Sequence, residues 1–267
     1  MRRALVLAFV AGCAASAPTP IQRATSLARE HREADAVKVL RDHLACHDDD
    51  VASRRLLIRV LALTGDLGAV SREVDHLSRQ LGEKDPLPFI ELGHAYELAH
   101  EYEKALDMYD HAAEIAPADP RGPREGGMRA AHWGETDWAR PRLEEAAKRG
   151  ANDVAMWHAL GLLRVHAREL QAAEEAYTAG LKVDPDATEC YLGLATVAVL
   201  GKDAARALVA YDAIVARRPG FSAAHLGRAW ALGKLGRKTE ARAALAEAER
   251  LGGERDAIAA QRQALDP

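Results

Sequence analysis

Apolar residues recur along this chain with the spacing of a helix face, and the faces themselves recur. Phe89, Leu92, Gly93 and Tyr96 stand at i, i+3, i+4 and i+7, which puts one stripe on one side of an α-helix. Ala105 and Tyr109, four residues apart, open a second stripe, and Pro117 stops it. The pattern returns every 34 residues. Ala105, Ala139, Ala173, Ala207 and Ala241 form one column, and Tyr109, Leu143, Tyr177, Tyr211 and Leu245 a second. Ala112, Ala146, Gly180, Ile214 and Ala248 form a third, with Pro117, Pro185 and Pro219 in the same phase. A fixed period of this length marks a stack of like units, here pairs of helices. Each pair leaves an apolar face bare, and only stacking on a neighbour buries it. Gly93 and Ala105 remove side chains where the paired helices approach, and Tyr109 fills the gap between them.

These columns also spell a known motif, W-x2-L-G-x2-Y, then A-x3-F, then P. One unit reads Phe89, Leu92, Gly93, Tyr96, Ala105, Tyr109, Pro117. Others read Trp157, Leu160, Gly161, Ala173, Tyr177, Pro185 and Tyr191, Leu194, Ala195, Ala207, Tyr211, Pro219. On these residues the chain resembles the tetratricopeptide-repeat family. The phase gives units at 86–119, 120–153, 154–187, 188–221 and 222–255. Two fainter ones precede them, at 51–85 (Leu57, Leu61, Gly65, Val70, Val74, Leu77) and 17–50 (Ala24, Leu27, Ala36, Leu40, Leu44). The resemblance implies an all-α, right-handed superhelical solenoid of about seven helical hairpins. A polar capping helix over 256–267 closes it, with Ile258 and Leu265 turned to the last unit. Strand signals are absent, no Gly/Ser-rich or Pro-rich linker interrupts the period, and 48% hydrophobic with only 5% aromatic residues suits an alanine-rich stack.

The fourth unit departs from the pattern. Pro123, Gly126 and Gly127 occupy what should be a firm helix, and Pro141 falls near the start of its partner. Glycine costs about 1 kcal/mol relative to alanine in a helix interior, so a soft point is expected there.

The first residues follow other rules. Met1-Arg2-Arg3 is a short basic segment, and Ala4 to Gly12 is an apolar run too short to span a bilayer, which takes about 20 residues. Val10-Ala11-Gly12-Cys13 resembles the cleavage box of bacterial lipoproteins. The resemblance implies a signal peptide over 1–12, lipidation of Cys13, and a short tether over 13–16. Cleavage near Ala15-Ser16-Ala17, releasing a soluble periplasmic protein, is the alternative. Ala14 after the cysteine favours the outer membrane, with the chain facing the periplasm. The mature chain is mildly acidic, so acyl chains rather than charge would hold it to a membrane. Cys46 and Cys190 lie in the first and sixth units, too far apart in such a stack to be bridged.

Composition and motif exclude several function classes. The formal charge is −4, with acids and bases interspersed and no concentrated basic face, which argues against nucleic acid. No phosphate loop and no nucleophile motif is present, so the reading is non-catalytic, without cofactor. His43 and His47, at i and i+4 beside Cys46 and Asp48, Asp49 and Asp50, have the spacing of a chelating pair. The same stretch reads more simply as a helix end and an acidic turn, and no metal is expected.

A protein partner is expected instead. The resemblance implies that the first helix of each unit lines a concave groove. The residues so placed are Arg55 and Arg59, then Ile90, His94 and Glu97, then Arg121, Arg124, Met128 and His132. His158, Leu162 and His166 follow, then Leu192, Thr196, Leu226 and Trp230. The basic first half and apolar second half would suit an acidic-then-apolar peptide or helix. The family's carboxylate clamp is not matched, since its Lys and Asn pairs are missing. Trp230 reads either as a binding hot spot or as a contact of the capping helix. Lipid anchor, length and repeat number together resemble the lipoproteins that assist assembly of secretins and pili. An adaptor for peptidoglycan enzymes and an unanchored periplasmic or cytoplasmic repeat protein are the other readings.

Overall fold

The computed structural model describes residues 17–265; Cys13 and the expected signal segment lie outside them. Among the described residues there are fifteen α-helices and no strand. They are α1 (Pro20–Arg29), α2 (Glu33–Leu44), α3 (Val51–Leu63), α4 (Leu67–Leu81), α5 (Leu87–Leu98), α6 (Tyr102–Ile115), α7 (Arg121–Trp133) and α8 (Thr136–Lys148). After them come α9 (Val154–His166), α10 (Leu170–Val183), α11 (Thr188–Leu200), α12 (Ala204–Arg217), α13 (Ser222–Lys234), α14 (Lys238–Arg250) and α15 (Arg255–Leu265). The chain falls into two compact units, one up to Met108 and one from Tyr109 onward.

In the first unit, Ala24, Leu40, Leu57, Ile58, Val70 and Leu77 form the centre of one buried cluster. Two polar nodes sit at its edge. Arg54, only 3% exposed, donates from Nη1 to Glu73 Oε2 (2.6 Å) and from Nη2 to the Asp48 carbonyl (2.8 Å). Glu91 is fully buried on α5 and accepts from Arg55 Nε (2.7 Å), Arg59 Nε (2.8 Å) and Arg59 Nη2 (2.9 Å), all on α3. Burial pushes the Glu91 carboxyl up, but its bonds with His94, Arg59 and Arg55 prevail and bring it down to about 2. Asp50 caps α3 by accepting from the Ala52 and Ser53 amides, and also accepts from the Ser53 hydroxyl. Those bonds from Ser53, with His43 alongside, bring its carboxyl down to about 2 against the effect of burial.

In the second unit the repeated columns show their purpose. The Tyr177 ring on α10 is fully buried, and a β-carbon built on Gly161 of α9 or Gly193 of α11 would lie 2.4 or 2.3 Å from it. The ring thus packs against its own hairpin and the next one. The fourth hairpin keeps to this logic. α7 runs unbroken through Gly126 and Gly127, and Pro141 lies inside α8 without ending it. A β-carbon at Gly127 would meet Leu143 Cδ2 at 2.6 Å, and one at Gly122 would meet the Ala113 backbone at 2.6 Å. At the far end Ile258 and Leu265 of α15 are buried in one cluster with Leu232, Leu245 and Ala248.

A second period lies in the turns within hairpins. His31, Gly65 and His100 in the first unit, and Gly134, Arg168, Lys202 and Gly236 in the second, all have left-handed backbone. Each turns the chain from one helix into the next, and four of the seven are not glycine.

Three outcomes are expected. Gly193→Ala should lose about 1–3 kcal/mol by overpacking against Tyr177. Tyr177→Phe should melt no lower than the parent, because the Tyr177 hydroxyl is buried without a hydrogen-bond partner. Lys202→Gly, at φ 58°, should gain up to about 1 kcal/mol by removing left-handed strain. Thermal melts of the three variants decide these. Glu91 contributes to the acid response: its carboxyl is depressed in the fold, so its contribution is complete above about 4.5 and fades as pH falls toward about 2. Glu91→Gln should flatten that part of a stability-against-pH profile, leaving the share owed to the other depressed carboxyls, Asp50, Asp119 and Asp153 among them.

Candidate functional site

Helices α7 and α9 each bury one face and turn the other outward. On α9 the buried face is Met156, Leu160, Gly161 and Leu163, and Asp153 fixes the helix start by accepting from the Met156 amide at 2.9 Å. On α7 the buried face is Gly122, Pro123, Gly126, Gly127 and Ala130. The opposite faces meet across a cleft of about 530 Å³, lined by Met128, Ala131 and His132 of α7 and by Ala155, His158, Ala159, Leu162 and His166 of α9, with the edge of the buried Leu163 at its floor. Gly134, Thr136 and Glu189, the last in the first turn of α11 in the next hairpin, complete the lining. Alanines at 131, 155 and 159 keep the cleft open, since larger side chains would fill it. The volume suits a few side chains of a bound segment.

Its chemistry is apolar with a few directional groups. Leu162 leaves 42% of its surface in water and lies in the lining of the cleft. Burial lowers the His158 pKa, and the Glu189 charge opposes part of that effect. Its ring leans on Tyr177, with centroids 6.0 Å apart.

Met128, His132, His158, Leu162 and His166, all expected in the groove, therefore come together. The other expected residues lie elsewhere. Ile90 is 6% exposed, so it belongs to the packed interior rather than to a surface. Arg55 and Arg59 are half-exposed, but Glu91 engages both, with His94 beside it, and Glu97 is half-buried on the same helix. Arg121 bonds with Asp119 (Nη2 to Oδ2, 2.8 Å), and Arg124 donates to Asp153 (Nε to Oδ2, 2.6 Å). The expected basic half is thus charge-compensated from within, which corrects the inference of an acidic partner. Thr196 is exposed and donates to the Leu192 carbonyl at 2.9 Å. Trp230 and Leu226 are half-buried against the cluster that holds Ile258 and Leu265 of the last helix, which favours the packing role for Trp230.

Glu189 was missed by the sequence reading. It holds the second position of its unit, as Arg121 does of its own, and applying that position rule to the sixth unit would have found it. The His43 cluster resolves as a helix end: His43 Nε2 lies 2.9 Å from Asp50 Oδ2, and its ring stacks on His47 at 4.4 Å. Among the described residues no group of three or more His, Cys, Asp or Glu is placed to hold a metal. Cys46 is an exposed free thiol and Cys190 a buried one, packed where a β-carbon on Gly180 would come within 2.6 Å of its sulfur.

No family model matches the chain, and no curated protein does. Solved structures do match. YrrB, a TPR protein with an unusual peptide-binding site, is 16% identical with a TM-score of 0.62, covering 71% of this chain and 97% of its own. The C-terminal part of a TPR repeat-containing protein from Cytophaga hutchinsonii is 16% identical at TM-score 0.64, covering 88% of this chain and 97% of its own. PilF of Pseudomonas aeruginosa is 16% identical at TM-score 0.50, covering 67% and 89%. At such identity the likeness is one of fold. By that likeness and by its 34-residue period, this chain has the tetratricopeptide-repeat fold.

Proposed function

We propose that this protein is a non-catalytic scaffold that holds a segment of a protein partner in the cleft between α7 and α9. The observation that carries the reading is the exposed Leu162 within a 530 Å³ cleft walled by small residues on two adjacent hairpins. An apolar side chain left in water inside a concavity is what a binding site requires and a purely structural stack does not. The similarity to YrrB, whose own site binds peptide, supports the same use of the fold. No nucleic-acid role is proposed, since the arginines on the outward helix faces are spent on carboxylates within the chain.

We further propose that the chain works at the cell envelope, as an outer-membrane lipoprotein facing the periplasm and anchored through Cys13. The support is the sequence Val10-Ala11-Gly12-Cys13 behind a basic and apolar start. Assistance to a secretin- or pilus-type assembly is the pathway we favour, on that anchor and on the fold shared with PilF. The lipid is the membrane contact in this reading.

A photo-reactive amino acid placed at Leu162 should cross-link one dominant partner in cells. Leu162→Asp should weaken that partner's binding by at least about tenfold, as expected for a central apolar contact. Partner capture that ignores Leu162→Asp would remove the cleft from the account. Metabolic labelling with a lipid precursor should mark the chain, and Cys13→Ser should abolish the mark; label persisting in that variant would sink the anchor.

A further inference from the structure

We infer that the cleft between α7 and α9 receives a basic segment, one that buries an aliphatic side chain against Leu162 and sets a lysine or arginine on Glu189. This rests on the cleft being the partner site, and it assigns the partner's chemistry. Glu189 is the only Asp, Glu, Lys or Arg lining the cleft. It is exposed and has no ion-pair partner among the described residues. Several other acids of the second unit are paired. Glu144 is bonded by Arg140, Glu169 by Arg140, and Glu174 by Arg206. Glu135, Asp137 and Glu175 also lack an ion pair among the described residues, so what sets Glu189 apart is its place in the lining of the cleft.

Charge complementarity then fixes the sign of the occupant. The arginines that would welcome an acidic segment are already neutralised, Arg121 by Asp119 and Arg124 by Asp153. A carboxylate entering the cleft would meet Glu189 with no cation to offset it. An incoming ammonium or guanidinium would instead gain a charge-assisted bond beside a low-polarity wall, where it is stronger than in open water. The histidines add ring nitrogens that can accept from a guanidinium or from backbone amides. A role for Glu189 confined to the helix is also available, because a carboxylate in the first turn of α11 complements the helix dipole. That role would be blind to the charge of any ligand, which separates the two.

A random peptide library displayed on phage, selected on the full-length protein, tests this. Recovered sequences should carry aliphatic residues with Lys or Arg clearly favoured over Asp or Glu. Glu189→Gln should erase the basic preference and Glu189→Lys should reverse it, with melting temperatures close to the parent's. A synthetic peptide from the selection should bind Glu189→Gln about tenfold more weakly. Acidic enrichment, or basic enrichment unmoved by Glu189→Lys, overturns the inference. Enrichment indifferent to charge but abolished by Leu162→Asp overturns it while keeping the cleft as the partner site. Enrichment that survives Leu162→Asp, or none at all, overturns the cleft reading itself.

Discussion

The Tyr177 ring occupies space that a β-carbon on Gly161 or Gly193 would claim. That constraint is the source of the second unit's regularity. A buried tyrosine offers a large apolar face, yet two helices reach it only if neither carries a side chain at the point of contact. The same exchange recurs at Gly227, where a β-carbon would come 2.2 Å from the Tyr211 ring, and at Gly127 against Leu143. Each large residue therefore measures the distance between helices, and each glycine sets where along the helix the contact falls. A period of 34 residues in sequence becomes a fixed step from one hairpin to the next because the same contact repeats at each step.

The fixed step in turn decides which faces look outward, and so what a partner can meet. Arginines on those faces are mostly held by acids of the same chain. Glu91 shows how deep this goes: a carboxylate with no exposed surface is tolerated because two guanidiniums from α3 reach it. Such pairs tie α3 to α5 across a repeat, and they also remove positive charge that would otherwise be offered to solvent. What the outward faces present is therefore less basic than a count of arginines suggests.

Much of the architecture was legible because small and large residues alternate in register: the alanine column from Ala105 to Ala241 and the tyrosine–leucine column beside it report contacts directly. The cleft was legible in part, since Met128, His158 and Leu162 stand at the groove positions that the family resemblance implies. Ile90 and Glu91 were not. Helix α5 is apolar around most of its circumference, with Phe89, Ile90, Leu92 and Leu98 on different sides, so its pattern does not say which face is inward. Burial of Glu91 depends on arginines more than thirty positions away, and no local pattern records that pairing. The turn period was hidden for another reason. Glycine marks Gly65, Gly134 and Gly236, but His31, His100, Arg168 and Lys202 adopt the same left-handed backbone without the residue type that would announce it.

Helix α7 joins these strands of reasoning. Its glycines lower its intrinsic helix preference, yet none can be exchanged for a better helix former without displacing Leu143, Tyr109 or the Ala113 backbone. The sequence is thus obliged to build one wall of the cleft from its weakest helix-forming stretch, and to hold that wall by packing from behind. Arg142 reinforces the packing by bonding Asp110 with two nitrogens, at 2.8 and 2.5 Å. Met128 and Ala131 then stand on a helix whose stability comes almost wholly from its buried side. A partner that fills the cleft supplies contacts to the other side, where the helix has few of its own, so binding and local order at α7 are coupled through the same side chains.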